Sequence, residues 1–245
     1  MKPLEPPAVF QELKNAFGEQ GWWPVSDSPN GKAEYKKREK LKGFQQFEVC
    51  VGAILTQNTA WTNAEKAIEN LKQKKIFSVR TIANAKPETI AGLIKPSGYF
   101  NQKTKRLQLF CRHVLKEHKT VSGFLLQPTK KLRTELLELH GIGPETADSI
   151  ILYAAQQPVF VVDSYTRRFV ERYYGKKMGY EQTQQFFESK LPQKAELFNE
   201  FHALLVGHAK QHCKTRPDCE ACFLKKTCLQ KNVNGKVLIN KKPFL

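Results

Sequence analysis

Four cysteines, Cys213, Cys219, Cys222 and Cys228, follow the spacing C-x5-C-x2-C-x5-C within sixteen residues. Thiolates this dense make a metal site, and on chemistry alone either a zinc ion or an iron–sulfur cluster suits four sulfur ligands. Zinc sites usually pair two Cys-x-x-Cys knuckles far apart, and this stretch has one. A second chemical feature is LHGIGPETADSI (139–150). Gly141 and Gly143 flank Ile142. Before them Leu132, Leu136 and Leu139 recur at helical spacing, and after them Ala147, Ile150, Ile151 and Ala154 share one face. Helix, glycine turn, helix presents backbone N–H groups at a helix start, where an anion binds. Glu145 and Thr146 suit such a start electrostatically. The Gly-Lys-Ser/Thr ending of a nucleotide loop is missing, and a helix rather than a strand precedes the glycines. Taken alone, a ligand-free helical hairpin explains the glycines as well. Twenty residues past Gly143, Asp163 stands before SYTRRFVERYY, placed to cap that helix.

The elements that must position these groups read as helices. Apolar periodicity predicts them over 47–57, 63–73, 103–117, 129–139, 145–156, 164–174, 181–190 and 194–212, with Ala64, Ala67, Ile68 and Leu71 on one face of the second. VFVVD (159–163) is the one β-like run, too short and isolated to define a sheet. Residues 1–9 are proline-rich and read as irregular, and 26–43 as a polar, basic loop with an exposed helix start. The expected class is all-α. Cys50 and Cys111 sit in apolar helical contexts, as core residues do. Forty Lys and Arg against 23 Asp and Glu leave a net charge of +17, which points to a polyanionic partner, nucleic acid or an anionic membrane surface. No apolar run approaches the roughly 18 residues of a membrane span, and MKPLEPPAVF lacks the apolar stretch of a signal peptide. The expectation is an intracellular protein of the cytoplasm or nucleoid, in a reducing compartment where disulfides are an improbable use of cysteine.

LHGIGPETADSIILYAAQQPVFVVDSYTRRFVERY resembles the helix-hairpin-helix DNA glycosylase superfamily, whose members share Leu-x-Gly-Ile/Val-Gly, a second helix and a Val-Asp some twenty residues past the glycines. AILTQNT (53–59) and KPSGYFNQKTKRL (95–107) are similar to further family segments, so the likeness runs over roughly residues 22–230. The resemblance implies that the amides of the hairpin, at Gly141, Ile142, Gly143 and Thr146, grip a phosphate of damaged double-stranded DNA. It implies that Gln57 fills the gap left in the duplex, and that Asp163 is the catalytic carboxylate, stabilising the oxocarbenium-like sugar or orienting water. Endonuclease III-type members carry a [4Fe–4S] cluster where the four cysteines stand, with a first gap usually one residue longer.

Members that also cut the strand place a lysine where this chain has Glu145, and a carboxylate cannot form an imine. The resemblance therefore favours a monofunctional hydrolase. GIGPETAD, GWWPV (21–25) and LTQNTAW (55–61) look more like the 3-methyladenine DNA glycosylase branch, in which residues at the positions of Trp22, Trp23, Trp61 and Glu145 surround the flipped base. Alkylation makes a purine cationic, which weakens its glycosidic bond and draws it to indole faces. The expected substrate is thus an alkylated purine. The alternatives are an endonuclease III-like glycosylase and abasic-site lyase for oxidised or mismatched pyrimidines, or a non-catalytic DNA-binding module. The expected architecture has two lobes with the DNA cleft between them. Residues 43–157 form a six-helix lobe with the hairpin, 1–42 and 158–230 a second lobe carrying the cluster, and 231–245 a basic tail. A monomer is expected.

Overall fold

The computed structural model describes residues 2–36 and 38–230; the expected basic tail, 231–245, lies outside them. Twelve α-helices form among the described residues: α1 Pro6–Phe17, α2 Gly43–Leu55, α3 Trp61–Gln73, α4 Val79–Asn84, α5 Pro87–Leu93, α6 Phe100–His113, α7 Val121–Leu125, α8 Thr129–Glu138, α9 Pro144–Ser149, α10 Ser164–Tyr174, α11 Tyr180–Glu188 and α12 Ala195–Gln211. Two short antiparallel strands, β1 Val25–Ser26 and β2 Ala33–Glu34, pair Val25 with Glu34 and Ser26 with Ala33. The mostly helical class agrees with the sequence reading, while the small hairpin falls inside the stretch expected to be a loop. Residues 159–162 of VFVVD are buried, and the run pairs with no strand.

Two helices differ from expectation in kind. α6 and α9 each widen into a π-helical turn, Val114–His118 and Ile150–Ala154, so the predicted helices 103–117 and 145–156 change geometry before they end. α1 begins at Pro6, inside the segment read as irregular. Proline at the first helical position loses no hydrogen bond that a helix would make. Val9 and Leu13 then recur at helical spacing and are fully buried.

The chain divides into two compact units. The smaller comprises residues 2–18, 162–191 and 201–230. In its core Phe169 stacks on Tyr173 at 4.9 Å, and Phe201 meets Phe10 and Phe187 edge-on at 5.4 and 5.5 Å. The larger unit comprises residues 19–161 and 192–200 and is built around α2, buried over most of its length. Residues 19–42 thus belong with the helices that follow them, where a boundary at 43 was expected. The reason is a buried ion pair. Glu48 of α2 and Lys72 of α3 meet at 2.6 Å. Ser26 donates to Glu48 through its amide (3.1 Å) and its hydroxyl (2.6 Å), and Lys72 donates to the Gly31 carbonyl (2.9 Å). Charges this deep need partners on every side, and the β1–β2 segment supplies them.

A second buried cation holds the end of α2. Lys103 of α6 donates to the carbonyls of Leu55 (2.8 Å) and Ser97 (2.6 Å) and is fully buried. Leu55 closes α2, whose last carbonyls find no donor within the helix. Burial, then the charge of nearby Arg106, push the Lys103 ammonium down to about 8. A group whose folded value lies below its unfolded one loses its proton first in the folded state, so stability rises with pH between those values. The neutral amine keeps two hydrogens for the two carbonyls. Lys103→Met should cost about 2–4 kcal/mol at neutral pH by stranding both carbonyls. The gap between wild type and variant in urea melts should widen from pH 8 towards 10; a gap that narrows there contradicts the assignment.

Candidate active site

The hairpin joins α8 to α9 through Leu139–Gly143, and two independent devices fix it. Arg133 of α8 grips the buried Asp148 of α9 with both ends of its guanidinium, at 2.7 and 3.3 Å. At the turn, Gly141 has φ +84°, and a Cβ there would run into the side chain of Arg106. The missing side chain lets Arg106 lie across the turn and donate to Gln57 Oε1 at 2.5 Å. Gln57 Nε2 in turn donates to the Gly141 carbonyl (3.0 Å) and to Thr146 Oγ1 (2.8 Å). The structure thus brings Gln57, Gly141 and Thr146 into one polar network, with Ile142 buried beside them as an anchor. Gly143 caps α9 with φ −91° and has nothing within 4 Å of where a Cβ would stand, so the approach to the start of α9 is open. The amides of a helix's first turn find no acceptor within the helix, and its dipole favours an anion there. Glu145 is exposed on that turn.

The three tryptophans meet in the same unit. Trp22 and Trp23 lie 4.9 Å apart, Trp22 and Trp61 5.3 Å, and Trp23 and Trp61 5.2 Å, with Tyr153 5.3 Å from Trp23. The rings crowd over Gly52 of α2, where a Cβ would stand 2.9 Å from Trp23 and 3.1 Å from Trp61. Trp61 is buried, Trp22 and Trp23 half-buried. The Trp23 indole N–H is buried with no acceptor among the described residues, and a buried donor of this kind gains by meeting one.

Asp163 caps α10, in the smaller unit. Its Oδ1 accepts from the Thr166 amide at 2.7 Å, while Oδ2 lies 3.5 Å from His202 Nε2 on α12. Burial pushes the carboxyl up, but the neighbouring His202 and the Thr166 amide outweigh it and hold Asp163 below the usual carboxylate range. It is therefore charged at neutral pH. Arg168, one turn along α10, is committed elsewhere: it donates to the Cys213 carbonyl at 2.8 Å.

The four cysteines line one cavity of that unit together with Arg172 and His208. Arg172 Nη1 lies 3.5 Å from Cys213 Sγ, and His208 Nε2 3.3 Å from Cys222 Sγ. Burial raises the thiols of Cys219 and Cys222, and that of Cys228 to about 11. Cys50 and Cys111 are buried core residues, as expected. The sequence reading did not identify His202, Arg106 or the Arg133–Asp148 pair. Asp148 was visible as a charge on the apolar side of ETADSII, which is the signal that would have found its partner.

Residues 51–193 match the family model of the HhH-GPD superfamily base excision DNA repair proteins. The chain is 36% identical to the putative DNA repair glycosylase MJ1434 of Methanocaldococcus jannaschii, over 91% of this chain and 95% of that one. It is 31% identical to an endonuclease III of Thermotoga maritima, over 78% and 89% respectively. Among solved structures, the 3-methyladenine DNA glycosylase MagIII of H. pylori bound to 1,N6-ethenoadenine superposes with a TM-score of 0.70 and 30% identity. That match covers 85% of this chain and 98% of MagIII.

Gly141→Ala should destabilise the protein by at least about 1–2 kcal/mol, because alanine resists positive φ and would also displace Arg106. Gly143→Ala, in open space at negative φ, should cost less. Urea midpoints of the two variants decide it, and equal losses would refute the role given to Gly141.

Proposed function

Because the chain belongs to the HhH-GPD superfamily of base excision DNA repair glycosylases, we propose that it is a monofunctional DNA N-glycosylase that releases alkylated purines. The observation that carries the catalytic part is Asp163. Its carboxylate is mostly buried, charged, held at Oδ1 by the Thr166 amide and flanked at Oδ2 by His202, which suits it to stabilise the sugar cation as the base departs or to direct water onto it. The hairpin takes a phosphate at the open start of α9, and Gln57 occupies the space left in the duplex. The indoles of Trp22, Trp23 and Trp61 receive the extruded base. A cationic purine is attracted to an indole face and already has a labile bond, so stacking and one carboxylate suffice. Identity with MagIII, whose solved structure holds ethenoadenine, supports this substrate class. Glu145, at the position of the strand-cleaving lysine, supports the absence of lyase chemistry. The protein acts as a monomer on double-stranded DNA.

The four cysteines fit a [4Fe–4S] cluster. All four thiols line one cavity, a donor set that suits a cluster of four thiolate ligands, and the positive charge of Arg172 beside Cys213 suits bound thiolates. Such a cluster would hold the 213–228 loop together.

Asp163→Asn keeps a capping oxygen and loses the charge. It should abolish base release while DNA binding in gel shifts stays within a few-fold. Wild type should excise 3-methyladenine faster than thymine glycol, leave the abasic strand uncut until alkali is added, and give no borohydride-trapped adduct. A trapped adduct with faster thymine glycol release would instead favour the endonuclease III-like activity, to which the 31% identity with the Thermotoga maritima protein lends weight.

Purified protein should be brown and contain about four irons per chain. Cys222→Ser should lose the iron and lower thermal stability. A colourless wild-type protein with stoichiometric zinc at the cysteines would rule the cluster out.

A further inference from the structure

His113, His118 and Glu135 stand apart from every residue used above. In an α-helix two residues five apart face different sides, but the π-helical turn Val114–His118 widens the end of α6 and brings both imidazoles to one side. Their rings lie 5.8 Å apart. Both Nε2 atoms converge on the same oxygen of Glu135, at 2.6 and 2.5 Å. Glu135 comes from α8, the first helix of the hairpin, and its other oxygen accepts from Gln127 Nε2 at 2.6 Å. Phe124 packs against both imidazoles, with ring centroids 5.9 and 5.0 Å away. All three side chains are mostly but not fully buried, at 23, 16 and 16% exposure.

We propose that these three side chains bind a first-row transition-metal ion, with zinc as the best match. Two imidazole nitrogens and one carboxylate oxygen are the ligand set of open zinc sites, which leave a position for water. The three ligand atoms lie within 4.8 Å of one another, close enough for one ion to reach all of them after a small outward movement. Without metal, two N–H donors crowd one carboxylate oxygen; an ion binds both Nε2 atoms with their protons moved to Nδ1 and relieves that crowding. Gln127 holds the free carboxylate oxygen, the outer contact that orients a metal-bound carboxylate. The bound ion would tie the extension of α6 to α8 and so brace the base of the hairpin. It needs no part in base release.

The test uses the full chain with its iron content measured, titrated with zinc chloride in a calorimeter. Wild type should take up one zinc per chain with its iron retained, and its Tm should rise by about 5 °C or more at saturation. Glu135→Gln preserves shape and one acceptor but ligates poorly, and it should weaken binding by well over tenfold. Gln127→Ala should weaken it about tenfold. Should Glu135→Gln fold poorly, His118→Gln serves the same comparison. Proton NMR of wild type with Co2+ should also shift the ring protons of two histidines. No zinc uptake by wild type overturns the proposal, as does uptake that Glu135→Gln and His118→Gln leave unchanged.

Discussion

The larger unit depends on a charge it would be cheaper not to bury. Lys103 holds its ammonium against the carbonyls of Leu55 and Ser97 with no exposure to water, and burial depresses its proton affinity accordingly. What the burial secures is position. Leu55 is the last residue of α2, and Gln57 follows two residues later; Arg106 lies one turn along α6 from Lys103. The contact that closes α2 therefore also sets the distance between Arg106 and Gln57, the two side chains that meet the hairpin turn. A neutral isostere would fill the volume, but it would leave two buried carbonyls without donors and α6 free to slide against α2.

That placement bears on how Gln57 could serve DNA. In this structure its amide is fully engaged: the oxygen accepts from Arg106 and the nitrogen donates to Gly141 and Thr146. A glutamine that enters a duplex must give up these bonds, and the duplex must replace them. The exchange is balanced only if the groups Gln57 abandons find new partners. Arg106 has an obvious one in a backbone phosphate, since a guanidinium pairs with phosphate oxygens at two points. On the proposed reading the network would link duplex invasion to phosphate binding at the hairpin, because Gln57 and Arg106 share it with Gly141 and Thr146.

Much of this was legible in the sequence. The glycines at 141 and 143 and the capping position of Asp163 are local signals that local geometry matches, and the four spaced cysteines line one cavity. The three tryptophans, expected around the flipped base, pack against one another. What was hidden is long-range or depends on changes of helical pitch. Lys72 and Glu48 look like ordinary helical charges, yet they are buried together and draw residues 19–42 into the larger unit. A 3.6-residue period cannot announce a π-helical turn, so the convergence of His113 with His118 had no signature. His202 sits in FHALLVGHA, where a histidine on an apolar run reads as core until Asp163 is placed beside it.

Asp163 shows how capping and the proposed catalytic role can coexist in one side chain. A capping carboxylate uses one oxygen on the helix amides, here Oδ1 on Thr166, and that bond fixes the rotamer. The second oxygen is then aimed without further machinery, and His202 flanks it. The amide and the imidazole both stabilise the charged form, opposing the burial that would neutralise it. A reaction whose transition state carries a sugar cation needs such a carboxylate: ionised, desolvated and immobile before the base leaves. The cap supplies immobility, the fold supplies desolvation, and the two neighbours keep the charge. On the proposed reading the leaving group is itself cationic and asks for little more, so Glu145 at the position of the strand-cleaving lysine would cost the site nothing.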